Sequence, residues 1–250
     1  MRIKITKAPQ KTLVLAETLP PVDTSSVPTR IAQTWESRPL PAGMQAAIDA
    51  VTAAAPTFTH ILMDNTERRA FIAAHFAEPV VAAYDALIPG AYRADLWRYC
   101  YLYVYGGIYL DIKFRPETGC DFTQLLQKEH FILDIPTLTS DRNIFNGMIV
   151  ARPRSPYLLS AITTLVTNVT NRQYGKTCLS VTGPHMLAQI IHVTATSADL
   201  CFSVDENGKQ LVSWQGQLLL REFTNYRQQN GYTNYTDQWT AHAIYRNATT

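Results

Sequence analysis

Between Tyr92 and Phe114 the sequence YRADLWRYCYLYVYGGIYLDIKF changes its hydrophobic period around a diglycine, and few folds accommodate that change. Leu96, Tyr99, Cys100, Tyr103 and Val104 recur at i, i+3, i+4, i+7 and i+8, which predicts one apolar stripe along a helix. Asp95 and Arg98, three residues apart, share a face flanking that stripe. Gly106 and Gly107 end the helix, because glycine enters the left-handed region without a Cβ penalty. Beyond them Ile108, Leu110, Ile112 and Phe114 alternate with Tyr109, Asp111 and Lys113, which predicts one strand. Asp111 and Lys113 then project from the same face. On a buried strand this is costly unless the two charges meet a ligand, a metal or each other. A solvated Asp111–Lys113 pair on an edge strand is the structural alternative. Arg115-Pro116-Glu117 interrupts the strand soon after, so its end is expected to open onto a cleft.

The flanking sequence alternates strand and helix. Arg30 to Trp35 and Phe58 to Met63 read as strands, and Met44 to Ala54 and Glu67 to Phe76 read as helices. Asp64-Asn65-Thr66 carries the N-cap of the second helix. This order predicts an α/β domain with a mostly parallel central sheet, in which ligands bind beyond the carboxyl ends of the strands. Trp35 and Asp64 stand at two such ends. Later segments predict strands at Phe131 to Ile135, Ile144 to Ala151, Leu200 to Val204 and Gln210 to Trp214. Helices are predicted at Tyr157 to Val169 and Pro184 to Val193. Residues 1–27 read as a peripheral lead-in with an edge strand within Ile3 to Leu15, and residues 28–250 as a single domain.

Composition excludes several classes. With 46% hydrophobic and 17% charged residues, a 250-residue chain can bury one large core and is not globally disordered. A net charge of +2 gives neither a basic nucleic-acid coat nor a polybasic membrane anchor. No apolar run approaches the ~18 residues of a membrane span, and no secretory signal is read at the start. The expected location is therefore the cytoplasm, or the host cytoplasm for a virus-encoded protein. Cys100, Cys120, Cys178 and Cys201 are too scattered for a zinc site and read as free thiols.

The central segment resembles the retaining, DXD-containing glycosyltransferases. These include yeast initiating mannosyltransferases, capsular-polysaccharide transferases and the glucosyltransferase domains of clostridial toxins. Their string is close to A-x-x-x-D-L-x-R-Y-x-x-L-Y-x-x-G-G-x-Y-x-D-x-D. Asp95, Leu96, Arg98, Tyr99, Leu102, Tyr103, Gly106, Gly107, Tyr109 and Asp111 match it. Arg30-Ile31-Ala32-Gln33-Thr34-Trp35 is similar to the family's opening strand, Asn146 to Ala151 to a later strand, and Thr182-Gly183-Pro184 to a turn. The matches run in family order over about residues 28 to 190.

The resemblance implies a single Rossmann-like domain of GT-A type. It would transfer a hexose from a UDP- or GDP-sugar to a hydroxyl acceptor on a glycan. Carried over, Trp35 stacks on the base, Asp95 and Arg98 hold the donor sugar, and Asp111 holds the ribose and sugar or shares a metal. Tyr109 lines the nucleotide pocket, Asn146 faces the transferred sugar, and Gln33 and Gly107 join the substrate-binding set. Near the C-terminus Trp239 is a candidate to cover the leaving group and Asp237 a second candidate metal ligand, the alternative being a terminal helix that docks Trp239 into the core. Lys113 stands where the family carries its second acid. Either Asp111 still holds Mn²⁺ or Mg²⁺, or Lys113 itself neutralises the diphosphate, or only binding survives. A non-catalytic nucleotide-sugar or carbohydrate-binding module is thus the second reading. A metal-dependent hydrolase using Asp95 and Asp111 is a third, and it lacks the expected His and Asp clusters.

Overall fold

The computed structural model describes residues 19–135, 143–191, 196, 198–223 and 234–247. The edge strand expected within Ile3 to Leu15 lies outside them. Of the lead-in, Val27 is buried in the core, and the Pro20 carbonyl accepts a hydrogen bond from Arg154 Nη2 at 2.8 Å.

The chain opens with β1 (Arg30–Thr34), α1 (Ala42–Ala54), β2 (Thr59–Met63) and α2 (Asn65–His75). Asp64 caps α2 as expected. Its side chain accepts the Thr66 and Glu67 amides, and Glu67 reaches back to the Asp64 amide at 2.8 Å. Next come α3 (Glu78–Ala86), α4 (Gly90–Tyr105) and β3 (Gly107–Leu110). Then β4 (Phe114–Pro116), a 3-10 turn (Phe122–Gln127), β5 (His130–Leu133), β6 (Ile144–Ala151), α5 (Pro156–Thr170) and α6 (Pro184–Ile190) follow. The last elements are β7 (Leu200–Val204), β8 (Gln210–Trp214), β9 (Gln217–Glu222) and α7 (Tyr235–Thr240). The short helix α3 and strand β9 had no clear periodic signal.

The central sheet runs β2-β1-β3-β6-β5. β1 is parallel to both β2 and β3, and β6 is antiparallel to both β3 and β5. Four strands therefore point one way and β6 alone is reversed, which matches the expected mostly parallel α/β sheet. β4, β9, β8 and β7 make a second, antiparallel sheet.

Two expectations are corrected. The strand predicted from Ile108 to Phe114 is two strands in two sheets. Pairing of β3 with β6 ends at Leu110 opposite Met148. The chain then turns through Asp111 to Lys113, with the Phe114 amide donating to the Asp111 carbonyl at 3.2 Å, and enters β4. Alternation persists across the turn because apolar side chains are needed on both sides of it. Second, α4 is not a helix with one apolar stripe. Trp97 and Tyr101, off the stripe, are as buried as Leu96 and Tyr99. The helix lies against β1, β3 and β6, with α2 and α5 also packed on it, so almost none of its surface meets water.

Gly106 has φ +66° and Gly107 φ +103°, so the diglycine makes the helix-to-strand reversal as expected. A Cβ on Gly106 would come 2.6 Å from Pro153, and one on Gly107 would come 2.7 Å from the Arg30 carbonyl. Among the described residues no helix is long and apolar enough to cross a membrane. The cysteines are free, with Cys100 buried in the core.

Candidate active site

A cleft of about 940 Å³ opens where β1 and β3 end and β6 begins. Reversed β6 brings its first residues to this edge, so Asn146 meets the chain leaving β3. The location is the carboxyl edge where α/β sheets place ligands.

One side is built on α4. Asp95 and Arg98 are 6% and 5% exposed, far too buried for a surface ion pair. Asp95 Oδ1 accepts from Asn146 Nδ2 at 2.8 Å, and Oδ2 accepts from Thr182 Oγ1 at 2.6 Å. Arg98 Nη2 lies 3.2 Å from Asp95 Oδ1, and Arg98 Nη1 lies 3.5 Å from Asp111 Oδ1 and donates to the Asn146 carbonyl. The guanidinium also covers the Tyr109 ring at 4.2 Å. Tyr109 donates its hydroxyl to Asp111 Oδ1 at 2.7 Å, and Lys113 Nζ pairs with Asp111 Oδ2 at 2.8 Å. Thr182, Asp95, Arg98, Asp111 and Lys113 thus form one continuous polar chain along the cleft.

The two carboxylates titrate in opposite directions. Burial pushes Asp95 up to about 6, against the opposing pull of Arg98 and the Thr182 hydroxyl. Burial acts the same way on Asp111, but Lys113 and Arg98 outweigh it and hold that carboxyl below its ordinary value.

Two glycines let these groups approach. The Asp111 amide donates to the Gly147 carbonyl at 2.8 Å. A Cβ on Gly147 would lie 2.8 Å from Asp111 Oδ2 and 2.5 Å from Phe145 Cζ. Gly90, first residue of α4, has Glu36 Cδ where a Cβ would lie 2.6 Å away. Glu36 follows Trp35 at the end of β1 and bridges Arg68 and Arg93, with Arg93 Nη2 at 2.8 Å from its Oε2.

Of the expected site residues, the cleft is lined by Trp35, Asp95, Arg98, Tyr109, Asp111, Lys113 and Asn146. Four others do not line it. Gln33 is buried within β1. Gly107 sits at the start of β3, the far end of that strand. Trp239 packs against the core and donates its indole N–H to the Tyr174 carbonyl at 2.8 Å, the docked-helix alternative. Asp237 is exposed on α7. The helix nevertheless reaches the cleft through Tyr235, Thr236 and Gln238, with Asn234 capping it. Sequence reasoning missed Glu36, Arg68, Arg93, Asp134 and the role of Thr182. Adjacency to Trp35 and to Asp95 was the available signal for Glu36 and Arg93.

The site does not suit a divalent cation on Asp111. Both carboxylate oxygens are engaged, one by Tyr109 and Arg98, the other by Lys113. Among the described residues no three His, Cys, Asp or Glu side chains gather as metal ligands. A divalent ion about 4 Å from the ammonium would be repelled by roughly 8 kcal/mol at an effective dielectric of about 20, twice the unit-charge value.

Part of the chain is similar to known proteins. Residues 41–132 match the family model described as glycosyltransferase sugar-binding region containing DXD motif. Inositol phosphoceramide mannosyltransferase 3 of Schizosaccharomyces pombe is 29% identical over 169 residues, covering 66% of this chain and 45% of that protein. Inositol phosphoceramide mannosyltransferase 2 of the same yeast is 29% identical over 145 residues, covering 57% and 39%. The chain therefore spans less than half the length of these curated relatives. The PaToxG glycosyltransferase structure aligns with a TM-score of 0.48 at 16% identity, over 66% of this chain and 69% of that one. The family match contains Asp95, Arg98, Tyr109, Asp111 and Lys113, and over this region the chain is similar to DXD-containing glycosyltransferases.

Proposed function

We propose that this chain transfers a hexose from a UDP- or GDP-sugar to a hydroxyl acceptor on a glycan, with retention of configuration. The observation that carries the reading is the Asp95–Arg98–Asp111 network, desolvated at the carboxyl edge of the sheet inside the region matched by the family model. The two mannosyltransferase relatives make mannose the first hexose to test.

The chemistry suits these side chains. Carboxylates and an amide grip vicinal hydroxyls through paired hydrogen bonds, and Asp95 and Asn146, hydrogen-bonded to each other at the cleft, supply such groups. Arg98 fixes the distance between Asp95 and Asp111, so the anomeric carbon is held in one place. Trp35 offers a ring at the end of β1 for the base. Among the described residues no side chain lining the cleft is disposed as an activated nucleophile, which favours a front-face displacement. The bond from the anomeric carbon to the phosphate oxygen breaks and its electron pair leaves with the diphosphate. The acceptor oxygen forms the new bond on the same face, and its proton passes to the departing phosphate oxygen.

The test is release of nucleoside diphosphate from GDP-mannose and UDP-glucose by the purified chain, with and without simple glycan acceptors. Turnover is expected, and Asp111→Ala is expected to abolish it while the melting temperature shows a folded protein. Full activity in that variant overturns the reading. Donor binding without turnover selects the non-catalytic module, which Lys113 at the second acid position favours.

A further inference from the structure

Lys113 is held beside Asp111, the residue that the family resemblance makes a candidate metal ligand. Its ammonium lies 2.8 Å from Asp111 Oδ2 and sits over the Phe114 and Phe145 rings at 5.4 Å and 5.7 Å. The side chain is 13% exposed and lines the cleft. The turn that carries it is pinned on both sides. The Phe223 amide donates to the Lys113 carbonyl at 3.0 Å, and the Asp111 amide donates to Gly147. The ion pair with Asp111 and the two rings seat the ammonium against the cleft wall. An ammonium has three donors, and its ion pair with Asp111 uses one. Asp134 also lines the cleft.

We infer that this chain binds the diphosphate of its donor without a divalent cation, the Lys113 ammonium taking the charge that a metal would otherwise neutralise. The inference rests on the nucleotide-sugar reading above and deepens it. Asp111 then serves to seat Lys113 and to accept from Tyr109, rather than to ligate an ion. A fixed single charge neutralises a diphosphate less fully than a divalent ion. Arg98, reaching Asp111 from the other side, supplies the second positive charge of the same chain of contacts.

The experiment is calorimetric titration of the full chain with UDP, GDP, UDP-glucose and GDP-mannose, in excess EDTA and again with Mn²⁺. The dissociation constant of the nucleotide that binds is expected to agree within about threefold between the two conditions. Lys113→Met, which keeps the stem and removes the charge, is expected to weaken binding in EDTA by roughly ten- to hundredfold, the range of a charge-assisted contact. Lys113→Asp, which restores two acids, is expected to bind only when Mn²⁺ is present. Binding by the wild type that requires Mn²⁺ overturns the inference and leaves the transferase reading standing. Unchanged affinity in a folded Lys113→Met overturns it as well. If either variant fails to fold, the wild-type comparison in EDTA and Mn²⁺ decides alone. No binding of any of the four nucleotides under either condition overturns the nucleotide-sugar reading itself and the inference with it.

Discussion

Arg98 joins Asp95 to Asp111, with its two terminal nitrogens 3.2 Å and 3.5 Å from the respective Oδ1 atoms. Asp95 belongs to a helix and Asp111 to the turn after a strand, so this guanidinium ties α4 to the exit of β3 beneath the cleft. Removing it would leave the buried Asp95 carboxylate without its cation, and the half-buried Asp111 with Lys113 alone. Arg98→Met is expected to destabilise the fold by about 3–5 kcal/mol, the usual cost of breaking a buried pair. Urea denaturation checks this. Arg98→Lys keeps the charge but not the fork, and is expected to recover part of the stability and little of the donor affinity.

Asp95 sets a pH dependence. Its folded value of about 6 lies above the ordinary 3.8, so the folded state holds the proton more tightly than the unfolded chain. The stability this group contributes is complete below pH 3.8 and is lost as pH rises through about 6. Asp111 has the opposite sign, its contribution being present above its ordinary value and lost as acid protonates the folded carboxyl. As an acceptor for sugar hydroxyls Asp95 works best ionised. Donor affinity is expected to rise as pH increases through about 6, and this inflection is expected to vanish in Asp95→Asn. Titration calorimetry from pH 5 to 8 with the donor reads both, the flanking values being about one to two units either side of that midpoint.

Gly147 is predicted to be intolerant of a methyl group. A Cβ there collides with the Phe145 ring and with the Asp111 carboxylate, 2.5 Å and 2.8 Å away. Gly147→Ala is expected to cost about 1–3 kcal/mol of stability by overpacking. It is also expected to lower turnover, because the displaced carboxylate is the one holding Lys113. A melting curve and a turnover assay on the same preparation check the two effects.

The two tryptophans first assigned to the substrate should separate. Trp35 lines the cleft, and Trp35→Ala is expected to weaken nucleotide binding by about 1–3 kcal/mol, the worth of one stacked base. Trp239 instead anchors α7 to the Tyr174 carbonyl. Trp239→Phe is expected to lose about 1 kcal/mol of stability and leave nucleotide affinity unchanged. Loss of nucleotide affinity in Trp239→Phe would return that residue to the substrate set.

Local signals in the sequence determined much of this protein. Local sequence located β6, β7 and β8 at their observed ends, and Asp64 caps the start of α2. The diglycine determined the passage from α4 to β3, since no other residue takes those two conformations so cheaply. The residue types at Asp95, Arg98, Asp111 and Lys113 marked the chemistry. All of these depend on neighbours within a turn or two of the chain. Tertiary structure alone decided the rest. It split the predicted strand at Asp111, because pairing with β6 ends there and the second sheet takes over the chain. It buried α4 on all sides, which turned an ordinary i, i+3 ion pair into a desolvated network. It brought Asn146 and Thr182 to Asp95, and Arg68 and Arg93 to Glu36, across long stretches of sequence. Periodicity reports which side of an element is apolar, but what lies opposite that side is set by how the elements pack.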